Sequence, residues 1–430
     1  MNFKHIHFIG VGGIGMSALA RLFLHDGKMV SGSDRAPSDI TRALERLGMH
    51  FYPTQTGSNV TDDVDLVVYT EAMPRDHEEL VEARERGIRT MNYFSALGMI
   101  ANEYYLVAVA GSHGKTTTTA MLIDIFERAN LDPSAVVGSL RASTKSNYRA
   151  GKGKYFIAEA CEYRRDFLSL RPDILVITNI EHEHVDYYPD LASVQAAFRE
   201  FALQVKEGGA IIADLANPSV RPVVEGLSVT VIDYGKYFDP ALSLSVPGMH
   251  NQMNAAAAKA AAVFAGVKPD AAKEALENFA GTWRRFEYKG EVNGAKVYDD
   301  YGHHPTEIAA TIRGARELYP DRKLTLVFQS HTYSRTHTLF DDFVSALSLA
   351  DRTLVLPIYA AREENESGVS HTKLAEAIRM RGKVAEACDS FEGVVSDLRA
   401  HASAKDLILV MGAGDVTKVA GMLTNTDFTS

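Results

Sequence analysis

The chain has 430 residues, 46% hydrophobic and 23% charged, which is too long for one compact core and ordinary for a soluble globular protein of two or three domains. Its 45 basic and 55 acidic residues leave a net charge of −10, which argues against broad nucleic-acid binding, because phosphate contacts need clustered Lys and Arg. Small phosphorylated ligands stay open, since a few backbone N–H groups and one or two cations hold them.

The stretch from His5 to Ala20 is apolar, but glycines break it and no basic leader precedes it. No run of ~20 apolar residues occurs elsewhere, so neither a signal peptide nor a membrane span is expected. Cys161 and Cys388 lie far apart with no CxxC or metal spacing, which fits a reducing, cytoplasmic compartment.

Three times a short β-rich run ends in a glycine-rich turn and opens into a helical pattern. The first is His7 to Gly15 with a helix to about His25; the second is Leu106 to Thr116 with a helix to about Arg128. The third is Leu407 to Asp415 with a helix to about Leu423. Each reads as strand, phosphate-type turn, helix. Between them, Asp65–Tyr69, Arg89–Asn92, Tyr155–Ala158, Ile174–Thr178, Lys296–Asp299, Lys323–Gln329 and Arg352–Pro357 read as further strands. Strands alternating with helices predict an α/β protein with parallel sheets covered on both faces. Domain boundaries are expected near residues 103 and 288, giving segments 1–102, 103–288 and 289–430.

The strongest local signal is Gly111-Ser-His-Gly-Lys-Thr-Thr117 after an apolar strand. Backbone N–H groups of Gly111, Ser112, His113 and Gly114 in such a turn wrap triphosphate oxygens. Lys115 supplies a point charge, and the Thr116 hydroxyl can ligate magnesium beside Thr117. The spacing departs from GxxxxGK[ST], since Val109 occupies the outer glycine position. Gly10-Val-Gly-Gly-Ile-Gly15 matches GxGxxG, with Asp34 about twenty residues on, so Gly12, Gly13, Gly15 and Asp34 form a candidate dinucleotide or UDP-sugar site. The motif alone does not separate NAD from UDP.

Glu159 sits at the end of a strand, where ligands bind in open α/β sheets. The run Thr178 to Asp186 gathers carboxylates and histidines, among them Glu183 and His184. A hard cation such as magnesium suits this oxygen-rich set better than zinc, since no cysteine is near and His182 and His184 need not face one centre. Gly248 to Asn254 precedes an alanine-rich helix; its amides suit either a base edge or, more simply, an N-cap. Asp299 to Glu307 carries Asp300, His303 and His304 into a helix with Pro305 in its first turn. Gln329 to Thr336 offers His331 and Arg335 to a carboxylate or phosphate. Cys161 beside Glu162 lacks the partners of a nucleophile and reads as a structural thiol.

Taken together, ten motifs in order resemble the Mur ligase family of peptidoglycan synthesis over nearly the whole chain. They are GVGGIGMS, GSDRAPS, GSHGKTTTT, AEACEYRRDFL, TNIEHEHVDYY, PGMHNQMNA, RRFE, DDYGHHPTEI, FQSHTYSRT and GAGD. The resemblance implies three domains: a Rossmann-like one for a UDP-sugar, a central P-loop one for ATP, and a Rossmann-like one for the incoming amino acid. It implies ATP-dependent ligation of L-alanine to the lactyl carboxylate of UDP-N-acetylmuramate through an acyl phosphate. From charge and hydropathy no nucleic-acid or membrane partner is expected, and a monomer or weak homodimer is the working expectation for a chain whose sequence does not give its oligomeric state. The resemblance places Gly12, Gly13 and Gly15 under the UDP pyrophosphate, Lys115 and Thr116 on ATP, and Glu159 and His184 at Mg2+. His250, Asn251 and Asn254 match positions near the adenine. Asp300, His303, His304, His331 and Arg335 match those around the reacting groups, with His303 or His304 as the base.

Three positions depart from the family pattern: Glu183 stands where many relatives have Asp, and Ser330 and Thr332 flank His331 where Pro and Arg are frequent. The rival readings are a murein-tripeptide recycling ligase, a folate polyglutamate ligase, a nicotinamide dehydrogenase and a non-catalytic UDP-sugar sensor. The dehydrogenase leaves GSHGKTT idle, the sensor has little use for Lys115, Glu159 and His184 together, and the folate enzyme should lack the glycine-rich first turn.

Overall fold

Apolar runs such as Leu106–Ala110 and Ile174–Ile177 show no polar alternation, the mark of strands buried on both faces. In the computed structural model, which describes residues 3–71, 73–184, 187–361 and 363–425, they become central strands. Eighteen strands among the described residues form three sheets.

The first sheet holds β1 (His5–Ile9), β2 (Met29–Ser33), β3 (His50–Tyr52), β4 (Leu66–Tyr69) and β5 (Arg89–Asn92). All its pairings are parallel, in the order β3-β2-β1-β4-β5. The order reverses beside β1, so the glycine turn that follows β1 lies at the switch point where open α/β sheets take ligands.

The second sheet holds β6 (Tyr105–Ala110), β7 (Ser134–Arg141), β8 (Ser146–Arg149), β9 (Tyr155–Glu159), β10 (Ile174–Ile177), β11 (Ala210–Ala213) and β12 (Thr230–Asp233). Its order is β12-β11-β10-β6-β9-β7-β8, parallel except for the β7–β8 pair. β6 is flanked by β9 and β10, which brings the ends of three strands together around one turn.

The third sheet holds β13 (Glu287–Val292), β14 (Ala295–Asp300), β15 (Lys323–His331), β16 (Arg352–Tyr359), β17 (Val384–Ala387) and β18 (Asp406–Met411). Its order is β13-β14-β18-β15-β16-β17, with only β13–β14 antiparallel.

The chain divides into two compact units, Met1–Ser243 with Met253–Phe279, and Leu244–Gln252 with Ala280–Ser430. The first unit contains the first two sheets over a shared core that includes Phe8, Leu19, Phe156 and Phe198. Buried Asn147 ties them, donating to the Ile14 carbonyl at 2.5 Å and accepting from Arg21 at 2.9 Å. The second unit packs Ile308, Ile312 and Phe343 in one core of the third sheet, and Val394, Leu398 and Val419 in another.

The expected helices are observed as Ile14–His25, Lys115–Arg128 and Thr417–Thr424. Several strand ends differ from expectation. The strand expected from Asp65 starts at Leu66, because the Asp65 carboxylate accepts the Lys4 and His5 N–H groups at 2.6 and 3.0 Å. β15 runs on to His331, since pairing with β16 continues to His331 opposite Tyr359. Beyond β15, Tyr333–Thr338 is helical and carries Arg335. Asn251 does not cap its helix; it lies inside Met249–Phe264 and donates to the Pro247 carbonyl at 2.8 Å. No helix of the described residues is long and apolar enough to cross a membrane.

Candidate active site

The turn after β6 closes on itself and on its neighbours. Gly111 has φ +139°, and a Cβ there would meet Thr178 Oγ1 at 1.9 Å, so only glycine fits. Thr178 and Asn179, just past β10, brace the turn: Thr178 Oγ1 donates to the His113 carbonyl at 2.5 Å, and Asn179 Oδ1 accepts the His113 N–H at 2.8 Å. The Ser112 carbonyl accepts from Lys115 Nζ at 3.0 Å, and so does that of Gly111. Lys115 through Thr117 then open the helix Lys115–Arg128, with Gly114 as its N-cap, so the helix N-terminus faces the turn's concavity.

Lys115 Nζ also lies 3.0 Å from Glu162, whose carboxylate is nearly inaccessible to solvent. Burial pulls the Lys115 ammonium down, but Glu162 foremost, with Cys161, Glu183 and Glu159 behind it, more than reverses this and leaves it raised. For Glu162 burial pushes upward, and Lys115 followed by His184 overrides it, so the carboxyl is held below its ordinary value. Cys161, pushed up to about 12 by burial and then by Glu162, stays a thiol, in keeping with a structural role.

Thr116 Oγ1 donates to Glu159 Oε1 at 3.0 Å, while Glu159 Oε2 accepts the Gly138 N–H at 2.8 Å. A hydroxyl and a carboxylate this close are hard oxygen donors of the kind magnesium takes. His184 stands in a second group: its ring, Glu162 and Glu183 each offer a donor atom, all within 4.8 Å of one another. The His113 ring faces Glu181 at 3.4 Å and Glu183 at 3.9 Å. Asp186, counted in the acidic run, lies outside the described residues.

At the first glycine turn, Ser33 O accepts the N–H groups of Gly10 and Val11 at 2.8 and 3.0 Å, and Asp34 Oδ2 accepts that of Gly12 at 2.8 Å. Asp34 is thus engaged by the turn itself, and by the Arg35 N–H at 2.7 Å. Gly13 N–H closes on Gly10 O at 3.2 Å, and a Cβ on Gly15 would meet the Tyr93 ring at 2.8 Å. Burial, and after it the charge of Glu159, raise the Tyr93 phenol. Asn254 lies beside the other turn: a Cβ on Gly114 would meet its Oδ1 at 2.3 Å.

In the second unit, β14, β18 and β15 bring Asp300, Gly412 and His331 to one sheet edge. Buried Asp300 accepts the Phe286 and Gly302 N–H groups at 2.8 and 2.7 Å, yet burial still pushes it up to about 6 against Arg285 and these bonds. His303 Nδ1 lies 3.2 Å from the Tyr301 carbonyl, so that nitrogen carries the proton and Nε2 keeps the lone pair. Burial pushes His303 down to about 3, helped by Arg335, Arg285 and His331 and opposed by Glu307. His304 accepts the Thr306 N–H at 3.4 Å and forms a capping box with Glu307. The His303 and His331 ring centroids are 6.1 Å apart, and Arg335 donates to His331 O at 2.8 Å. His250 and Asn251 belong to this unit, whereas Asn254 belongs to the first.

Sequence reading passed over three residues of these sites. Glu162 was signalled only by following Glu159 by three positions. Tyr93 carried no signal beyond the Asn92 cap before it. Arg284, within RRFE, is buried; it pairs with Asp299 at 3.2 Å and donates to the carbonyls of Gly412 and Gly414, fixing the GAGD turn.

Three predominantly parallel sheets, the second with a lysine-bearing turn at its central strand, define a multidomain α/β protein of the P-loop type. Residues 5–105 match the profile "Mur ligase family, catalytic domain", 109–240 the "Mur ligase middle domain", and 284–414 the "Mur ligase, glutamate ligase domain". A UDP-N-acetylmuramate–L-alanine ligase from Clostridium novyi is 41% identical, over 98% of this chain and 97% of its own length. The structure is similar to that of a UDP-N-acetylmuramate–alanine ligase from Thermotoga maritima, with TM-score 0.80, 26% identity and 97% of each chain covered. It is also similar to a murein peptide ligase from Psychrobacter arcticus, with TM-score 0.69, 25% identity and coverage of 99% and 100%. The chain belongs to the Mur ligase family.

Proposed function

We propose that this ATP-dependent ligase joins L-alanine to the lactyl carboxylate of UDP-N-acetylmuramate, releasing ADP and phosphate. The observation that carries the reading is the identity of 41% to a ligase of that name across essentially the whole of both chains, joined to the lysine-bearing turn after β6. Segment 1–102 takes the nucleotide sugar, 103–288 takes ATP and 289–430 takes the amino acid. Nothing in the site favours the tripeptide, and the recycling enzyme is an outcome of the test below.

Lys115 and the amides of Gly111 to Thr117 hold the triphosphate, and Lys115 draws charge from the transferring phosphoryl group. His250, Asn251, Asn254 and Asp300 serve the ATP as well. Thr116, Glu159 and His184 would hold Mg2+, which when bound neutralises phosphate charge. Gly12, Gly13, Gly15 and Asp34 form the nucleotide-sugar turn. The lactyl carboxylate attacks the γ-phosphorus, giving an acyl phosphate and ADP; the amine of L-alanine then attacks that carbonyl and phosphate leaves. His331 and Arg335 orient the carboxylate, and His303 or His304 takes the amine's proton. The same reading carries a cytoplasmic setting and a chain that acts alone or as a weak homodimer.

The test is phosphate release from ATP with magnesium and UDP-N-acetylmuramate, run with L-alanine, with L-alanyl-γ-D-glutamyl-meso-diaminopimelate, and with neither. Release that needs both nucleotide sugar and L-alanine is expected. Release with the tripeptide alone moves the assignment to the recycling reaction. Silence in every arm overturns the ligase reading.

A further inference from the structure

Beneath the first glycine turn lies a buried polar chain that none of the proposed chemistry uses. Glu79, in the helix Glu78–Glu85, is 0% exposed. It accepts from Ser33 Oγ at 2.7 Å, Asn59 Nδ2 at 2.8 Å and His7 Nε2 at 3.2 Å. His77 Nδ1 lies 3.9 Å away and has no hydrogen-bond partner. From His7 the chain continues through Ser31 to His5 and ends at Asp63 on the surface, each step at 2.9 Å.

Groups from three elements thus close on the Glu79 carboxyl, which offsets the cost of taking its polar oxygens out of water.

The position of the chain gives it a role. Ser33 is the last residue of β2; its side chain is held by Glu79 and its carbonyl accepts the Gly10 and Val11 N–H groups. Its neighbour Asp34 takes the Gly12 N–H. The first three amides of the turn are thus committed to the end of β2. The ligand is left the amides that open the helix Ile14–His25, which have no partner inside the helix. We propose that Glu79 is a positioning residue for the nucleotide sugar: through Ser33 it sets where those helix-opening amides point. This rests on the nucleotide-sugar reading of that turn.

The test uses Glu79→Gln, which puts an amide donor among donors, and Ser33→Ala, which deletes one hydroxyl and keeps the proposal testable if the first variant fails to fold. Phosphate release is titrated separately in UDP-N-acetylmuramate, ATP and L-alanine, and nucleotide-sugar affinity is measured by calorimetry on the same proteins. The expected result is a rise of about tenfold in KM and Kd for the nucleotide sugar, with kcat and the KM for ATP and L-alanine within about twofold. An unchanged nucleotide-sugar KM, or an equal rise for ATP, overturns the proposal. A wild type that binds the nucleotide sugar without turnover sinks the ligase reading alone, and the calorimetric ratio still decides the role of Glu79. A wild type that binds no nucleotide sugar overturns both.

Discussion

The Lys115–Glu162 pair gives a stability prediction that the structure makes quantitative. The two charges sit 3.0 Å apart with Glu162 fully buried, a separation worth roughly 5 kcal/mol at an effective dielectric near 20 before desolvation is counted. Replacing either member alone strands the other. Glu162→Gln takes from the ammonium its foremost carboxylate and leaves it on the Gly111 and Ser112 carbonyls, and Lys115→Met leaves a buried carboxylate beside His184. Each single change is expected to cost about 3–5 kcal/mol, and the double change much less than their sum, because a neutral pair owes no charge desolvation. Lys115→Ala, the obvious way to abolish turnover, should therefore also lower stability. The assay is urea unfolding followed by circular dichroism on wild type, both singles and the double, without nucleotide. Glu162 is held below 4.5, so its contribution is present above that pH and lost as pH falls through the depressed value. Lys115 is held above 10.5, so its contribution is present below that pH and lost as pH rises past the elevated value. Single costs under about 1 kcal/mol, or single effects that add within about 0.5 kcal/mol, would refute the reasoning.

Gly111→Ala should abolish ATP turnover while nucleotide-sugar affinity survives, because its Cβ would lie 1.9 Å from Thr178 Oγ1; near-normal phosphate release would show that the turn tolerates a side chain. Asp300, raised from 3.8 to about 6, contributes stability that is complete below pH 3.8 and lost as pH rises through about 6, a difference of about 3 kcal/mol. Asp300→Asn should flatten unfolding free energy across that interval, and an unaltered slope would assign the dependence elsewhere. His303, held down at about 3, stays neutral across ordinary pH, so kcat/KM should show no acid limb from it between about pH 5 and 7. A limb near 6.5 that vanishes in His303→Asn would contradict that environment.

The parallel sheets were legible because buried strands are apolar throughout, and the three glycine turns because each follows such a strand. Strand ends were less so: pairing with β16 carries β15 through the polar residues Gln329 to His331, which local composition marks as a loop. The turn that carries Lys115 and Thr116 was legible because it ends an apolar strand and opens a helix within a few residues. Glu162 was not, because its charge matters only once the chain beyond β9 folds back over the turn. Arg284 was hidden for the same reason: its partners Asp299 and Gly412 are 15 and 128 residues away. Asn251 misled because an Asn near a helix start resembles a cap whether or not its own carbonyl acceptor lies one turn earlier.

The two candidate bases are separated by their hydrogen bonds before any pKa is considered. His304 spends its Nδ1 lone pair on the Thr306 N–H, so its other nitrogen carries the proton while the ring is neutral, and it cannot accept from an amine without giving up its place at the helix start. His303 points the other way, with Nδ1 committed to the Tyr301 carbonyl and the Nε2 lone pair left for a proton. Yet burial, together with Arg335, Arg285 and His331, makes the His303 imidazolium costly. An anion among those groups offsets the two guanidinium charges and raises the affinity of His303 for a proton. If the acyl phosphate of the proposed reaction binds there, it is such an anion, and His303 is then a stronger base with the intermediate than without it.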